Sequence, residues 1–303
     1  MELRPAPLAS AASAPRGPAI LPYVFLAPCL LLLLALTVYP LFYLARLSLH
    51  RMTPDGDAFA GLANFTRLLA DGFFWRALGQ TLLFAFGALT LEFLLGLALA
   101  LLLHSRLRGR NLWRALFLLP MILPPVVAGV IWRLIYNPSF GILNAALQWL
   151  GFDTVRLTWL ADPSVALVAV IVVDVWEWTP FVFLILLAGL QAIPEEPYEA
   201  ARIDGSSAWQ TFRHITLPLL APAILVALLL RTFDLLRLFD QVFILTQGGP
   251  GFATETISLY IYKTAFRFYD FGYAAALSFV LLAATLALSH FYIRLLQRPE
   301  KPA

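Results

Sequence analysis

One recurrence constrains this chain more than anything else in it. Six times along its 303 residues, a mostly apolar stretch long enough to cross a bilayer is bounded by charged or turn residues. A helix needs about 20 such residues to span the hydrocarbon core. The stretches run approximately from Ile20 to Ala45, Ala77 to Leu103, Ala115 to Tyr136, Val165 to Leu190, Leu219 to Leu245 and Tyr273 to Ile293. Composition agrees: 61% of residues are hydrophobic and 13% charged, whereas a soluble domain carries about a quarter charged residues. The expected fold is an all-α integral membrane protein of six transmembrane helices, with the membrane domain over residues 20–296 between short tails, 1–19 and 297–303.

The first stretch follows Arg4 and Arg16, as a secretory signal would, but it is too long and no small-residue cleavage site closes it. It reads as a retained anchor. The lone cysteine, Cys29, excludes an internal disulfide, and His50, His104, His214 and His290 lack metal-ligand spacing. A net charge of +3 needs no nucleic acid, because arginines beside membrane spans follow the positive-inside tendency. Arg106, Arg108, Arg110 and Arg114 crowd the link between the second and third stretches, and Arg294, Arg298 and Lys301 follow the sixth. Both termini are therefore expected in the cytoplasm. Segments His50 to Arg76, Asn137 to Ser164 and Thr246 to Gly272 then face outward, with Trp149, Trp159, Tyr260 and Tyr262 suited to the interface.

The cytoplasmic link 191–218, QAIPEEPYEAARIDGSSAWQTFRHITLP, is far more polar than a connection needs. Pro194 and Pro197 suit a helix start, and Glu195, Glu196 and Glu199 complement its positive end. Tyr198, Ala201 and Arg202 follow at helical spacing, and Gly205 stops the helix or turns it. A second segment from Ser206 to His214 would place Trp209, Phe212 and Ile215 on one side, making a small helical hairpin. An amphipathic hairpin resting on the membrane surface would account for the two aromatics equally well.

Glu199, Ala200, Ala201, Gly205, Ile215, Leu217 and Pro218 stand in the spacing of the cytoplasmic signature of the membrane subunits of ATP-binding-cassette importers, which this chain resembles. The resemblance covers nearly the whole chain. The segments Gly61 to Phe84 and Leu245 to Tyr262 are similar to those of the carbohydrate-uptake branch, and within it to the first of two permeases for trehalose, maltose or related oligosaccharides. The large extracellular insertion of the enterobacterial maltose subunit is lacking. The resemblance implies that Glu199, Ala200, Ala201, Asp204 and Gly205 form a coupling helix entering a cleft on an ATPase subunit. It also implies a second permease, two ATPase subunits that carry the ATP and Mg, an extracellular or periplasmic sugar-binding protein, and a bacterial inner-membrane location. No cofactor is expected on this chain itself.

Ionisable residues inside a membrane are costly and usually face a bundle interior or a watery path. The fourth stretch holds Asp174, Trp176, Glu177, Trp178 and Phe181 around Pro180, whose missing N–H suggests irregular backbone and a cavity. The fifth holds Arg231, Asp234, Arg237 and Gln241 on one face, with Asp240 off that stripe. Carboxylates, guanidinium forks and an aromatic platform suit a sugar, which offers many hydroxyls and a weakly apolar ring face. By the resemblance, aligned on the Leu-Thr-x-Gly-Gly-Pro segment, Asp234 and Arg237 match sugar-contacting positions of maltose-type subunits, and Glu177, Trp178 and Phe181 match similarly around Pro180, with different residue types here. The substrate-contact set is thus Glu177, Trp178, Phe181, Arg231, Asp234, Arg237 and Gln241. The competing reading is that Arg231, Asp234 and Arg237 form internal ion pairs that only fix helix packing. Arg133 and Glu92 stay outside the set, since one can snorkel and the other pairs with a neighbouring helix. Gly87 and Gly96 are too widely spaced to form a close-packing pair.

A phosphate-binding loop of the Gly-Lys type is absent, because the two lysines, Lys263 and Lys301, follow Tyr262 and Glu300. The energy source must lie on another subunit, which makes the chain a non-catalytic part of a pump. Other readings remain: a permease for a polyol or glycerol phosphate ester, with Arg231 and Arg237 serving the phosphate; an ion-coupled secondary transporter; and a membrane enzyme, for which no nucleophile and base converge.

Overall fold

The computed structural model describes residues 20–53, 56–104, 109–152 and 157–296. The two tails, with Arg4, Arg16, Arg298 and Lys301, and the loop arginines Arg106 and Arg108 lie outside the described residues.

The chain opens with α1 (Leu21–Ser48), followed by a two-stranded hairpin, β1 (His50–Thr53) and β2 (Gly56–Phe59), antiparallel with His50 opposite Phe59. A short α2 (Ala63–Ala70) leads into α3 (Gly72–His104). Two shorter helices follow, α4 (Arg110–Ile122) and α5 (Pro125–Ile135), then α6 (Ile142–Trp149) and the long α7 (Pro163–Ala192). The hairpin helices are α8 (Glu196–Ile203) and α9 (Ala208–Thr211), and α9 passes through a π-helical turn at Phe212–Thr216 into α10 (Leu217–Leu236). The chain ends with α11 (Asp240–Leu245), α12 (Ile257–Phe266) and α13 (Phe271–Leu296).

Among the described residues five helices are long and apolar enough to span a membrane, and α4 with α5, bent by 96°, makes a sixth where the pair is one broken span. The bend sits at consecutive prolines. A residue before proline is pushed out of the helical region, and Leu123 and Pro124 accordingly take ψ of 137° and 140°. The fifth span also departs from the sequence reading. It begins earlier, at Ala208, and stops at Leu236; Arg237 to Phe239 leave the helix, and the chain restarts as α11. No proline or glycine causes this break. The two broken elements pack on each other, and a Cβ added to Gly129 of α5 would come within 3.0 Å of Ile244 on α11. By contrast, α7 runs unbroken through Pro180, so the irregular backbone expected there lies instead at the two neighbouring breaks.

The most enclosed span is α7, with two-thirds of its most apolar window buried. Small residues let its neighbours approach. A Cβ on Gly96 of α3 would meet Val182 Cγ1 at 2.9 Å, and one on Gly189 of α7 would meet Ala223 Cβ of α10 at 2.6 Å. Gly96 therefore serves close packing without Gly87 as a paired partner. At the other extreme, α1 buries none of its window and leans mainly on α13 and β1. An apolar helix exposed all round suits lipid.

Segments 50–76 and 246–272 meet at one end of the bundle. Arg67 reaches Asp270 at 2.6 Å, and the Tyr260 and Tyr273 hydroxyls both donate to Asp71 Oδ2. Burial pushes the Asp71 carboxyl up, but the tyrosine hydroxyls and backbone N–H donors outweigh it and hold the group below its ordinary value. At Glu255 burial wins, and its carboxyl is raised despite the nearby Lys263 ammonium.

Candidate substrate cavity and coupling loop

Three long helices bring their charged residues to one depth. Glu92 of α3 takes a bidentate pair of bonds from Arg231 of α10, Nε to Oε2 and Nη2 to Oε1, each 2.7 Å. Asp174 of α7 accepts a further bond from Arg231 Nη2, also at 2.7 Å. All three side chains are buried. The step of three residues along α10 then carries Asp234 outward: its Oδ2 lies 3.8 Å from Arg231 Nη1, and its Oδ1 accepts from Arg237 Nη2 at 3.1 Å. The guanidinium carbon of Arg231 stands 5.0 Å from the centre of the Trp178 ring.

Next to this cluster lies a cavity of about 170 Å³, lined by Asp174, Trp178, Arg231, Asp234, Arg237, Asp240 and Gln241, with Pro125 of α5 and Leu238 and Phe239 of the break completing it. The broken fifth span shapes the cavity: because the helix ends at Leu236, Asp240 joins Arg237 and Gln241 on the same space as Asp234. An uninterrupted helix would have kept Asp240 off the stripe.

Of the residues selected from sequence, Trp178, Arg231, Asp234, Arg237 and Gln241 line the cavity. Glu177 is buried beside it and accepts a bond from Gln241 Nε2 at 2.7 Å, while its Oε1 and Gln241 Oε1 have no partner. Phe181 packs against Trp178, ring centres 6.2 Å apart, and is not among the lining residues. Arg231 is 1% exposed, with Nε and Nη2 bonded to Glu92 and Asp174, which is the internal ion-pair arrangement. The contact set drawn from sequence left out Asp174 and Asp240, which line the cavity, while Glu92 pairs with a neighbouring helix as expected. The only signal for Glu92 was that a lone carboxylate within an apolar span needs a buried cation.

At the other end of α7, α8 starts at Glu196 with Pro197 in its first turn and ends before Gly205, whose φ of +71° is the left-handed conformation glycine adopts freely. Ala201 is buried against the body, while Glu199, Ala200 and Asp204 face outward. Ser207 and Gln210 form a reciprocal capping box that starts α9, and the helix runs on through the π-helical turn at Phe212–Thr216 into α10, so the expected second segment is the start of the fifth span and not a separate helix. The Tyr198 hydroxyl donates to Thr216 Oγ1 at 3.2 Å, tying α8 to the π-helical turn. Ile203 and Trp209 are 86% and 66% exposed, an apolar tip in which the Trp209 ring lies against Phe212, centres 5.6 Å apart.

Residues 92–300 match the family described as binding-protein-dependent transport system inner membrane component. The chain belongs to that family. This permease is 42% identical over 278 residues to the trehalose/maltose transport system permease protein MalF of Thermococcus litoralis, covering 90% of this chain and 92% of the relative. It is 38% identical to the trehalose transport system permease protein SugA of Mycobacterium tuberculosis, covering 91% and 88%. Among solved structures it superposes with TM-score 0.81 and 26% identity on a chain of a bacterial ABC transporter that imports the acidic polysaccharide alginate, covering 93% of this permease and 96% of that chain. The permease is thus the non-catalytic, multi-pass membrane subunit of an importer.

Proposed function

We propose that this permease forms half of the translocation path for a neutral disaccharide or oligosaccharide of the trehalose or maltose type. The supporting observation is the cavity lining. Three carboxylates and two guanidiniums alternate around it beside the Trp178 ring, and both guanidiniums are already paired with carboxylates. Paired charges accept and donate hydrogen bonds to hydroxyls without demanding a charged ligand. A glycerol phosphate ester would need an unpaired guanidinium, and Arg231 and Arg237 do not supply one.

At about 170 Å³ the cavity is smaller than the roughly 300 Å³ at which small-molecule sites begin. A second permease subunit would complete it. The two relatives named for trehalose and maltose transport support the substrate class, and a second alginate-importer structure, solved with a pentasaccharide-bound periplasmic protein, supports delivery by a binding protein. In this reading Glu199, Ala200, Ala201, Asp204 and Gly205 present the coupling surface to one of two ATPase subunits, which hold ATP and Mg. The hairpin and both termini then face the cytoplasm, with the tails 1–19 and 297–303 flanking the membrane domain. ATPase closure moves the hairpin, and Tyr198 with the π-helical turn passes the motion into α10, whose outer end carries Asp234 and Arg237.

The test is ATP hydrolysis by the reconstituted complex of this chain with its second permease, ATPase and binding protein. Trehalose or maltose should stimulate it and glycerol 3-phosphate should not. Glu199→Lys should uncouple hydrolysis from uptake. Stimulation by the phosphate ester alone would refute the neutral-sugar reading.

A further inference from the structure

Arg231 is surrounded in an unusual way for a residue facing a substrate path. Its Nε–H and both Nη2–H groups are consumed by Glu92 and Asp174, and its side chain is 1% exposed. What remains is the ring-facing side of the guanidinium, 5.0 Å from the Trp178 centre, and Nη1, 3.8 Å from Asp234. Those two neighbours are the platform and the acceptor that the proposed function gives to the sugar. Arg231 therefore touches both halves of the sugar site, and only its Nη1 and its ring-facing side are left for the cavity.

If the only task were to pin helices together, one carboxylate would balance the guanidinium. The two carboxylates come from different helices, α3 and α7, and grip two edges of the planar fork. A fork held on two edges cannot rotate, so its third edge and its face have fixed directions. From this geometry we infer that Glu92 and Asp174 are positioning residues for substrate recognition: they clamp Arg231, and through it they set the separation and orientation of the Trp178 ring and the Asp234 carboxylate.

The inference rests on the proposed sugar reading, and a thermodynamic cycle separates the two. The reconstituted complex is assayed for the trehalose and maltose dependence of ATP hydrolysis, giving a half-saturating sugar concentration and a maximal rate. Glu92→Gln and Asp174→Asn are each made on the native background and on Asp234→Ala. A clamp acting through Asp234 and Trp178 should raise half-saturation by about tenfold on the native background, with a smaller change in maximal rate. On Asp234→Ala each should add no more than about twofold, because neighbours that work as a unit are not additive. Glu92→Asp should recover part of the loss. Should Glu92→Gln fail to assemble, Glu92→Asp on the two backgrounds decides by the same cycle, because Glu92, unlike Asp174, does not line the cavity. Assembled variants with native half-saturation, or effects that multiply fully with Asp234→Ala, would overturn the inference and leave the sugar reading standing. A native complex that answers to neither sugar would overturn both.

Discussion

Arg231→Met leaves two buried carboxylates without their cation. Glu92 and Asp174 are 0% and 1% exposed, and three bonds of 2.7 Å disappear together. Removing one partner of a buried pair costs roughly 3–5 kcal/mol, because the remaining charge stays desolvated. Interhelical polar contacts in lipid are individually weaker, and a stranded carboxylate loses its charge only by taking up a proton, which itself costs free energy at neutral pH. For a chain of this size about 1 kcal/mol moves the thermal midpoint by roughly 2 °C, so the variant should melt about 6–10 °C lower. The companion Glu92→Gln/Asp174→Asn/Arg231→Met keeps the shapes and removes every charge, and should regain more than half of that loss. Both are measured by a tryptophan-fluorescence melt of the purified complex in detergent. A fall of less than about 2 °C, or a triple variant no more stable than the single one, would refute the burial argument.

Further outcomes follow from other contacts. Gly189→Val drives a side chain into Ala223 and Leu220 across the α7–α10 crossing, and overpacking there should cost about 1–3 kcal/mol, seen as lower midpoint and yield; a native melt would exclude a tight crossing. Asp71 titrates below its ordinary value, so its stabilising effect is whole above about pH 4 and is lost as pH falls through the lowered folded-state value. The midpoint difference between the native chain and Asp71→Asn should therefore be constant from about pH 5 upward and shrink below about pH 4; a difference unchanged at about pH 3 would contradict this. Ile203→Asp at the exposed hairpin tip should lower co-purification of the ATPase subunit while leaving the melt of the isolated permease within about 1 °C. Unaltered co-purification would move the docking surface off that tip.

Much of the membrane domain was legible because lipid imposes a one-dimensional rule: a run of apolar residues of sufficient length needs no knowledge of its neighbours. The helical segments of the 191–218 link were legible for a similar reason. Prolines, acidic residues and Gly205 act locally, and α8 begins and ends close to where they stand. The misjudged backbone was that of α7 and the fifth span. Pro180 suggested a break where the helix continues, because α3 and α10 pack closely on both sides of α7; the actual break at Arg237 to Phe239 contains no helix-breaking residue.

The site divides in the same way. The sequence by itself determined which residue types were available at that depth, since charges within apolar spans are few and Trp178, Asp234 and Arg237 stand out by position alone. Only the tertiary structure decided their roles. Glu92 lies 139 residues from Arg231 and Asp174 lies 57, separations that no helical period relates. The pairing depends on how α3, α7 and α10 rotate against one another, and that rotation is fixed by packing at Gly96 and Gly189. Those contacts put Arg231 inside a clamp and leave Asp234 at the cavity wall, although the two residues are one helical turn apart.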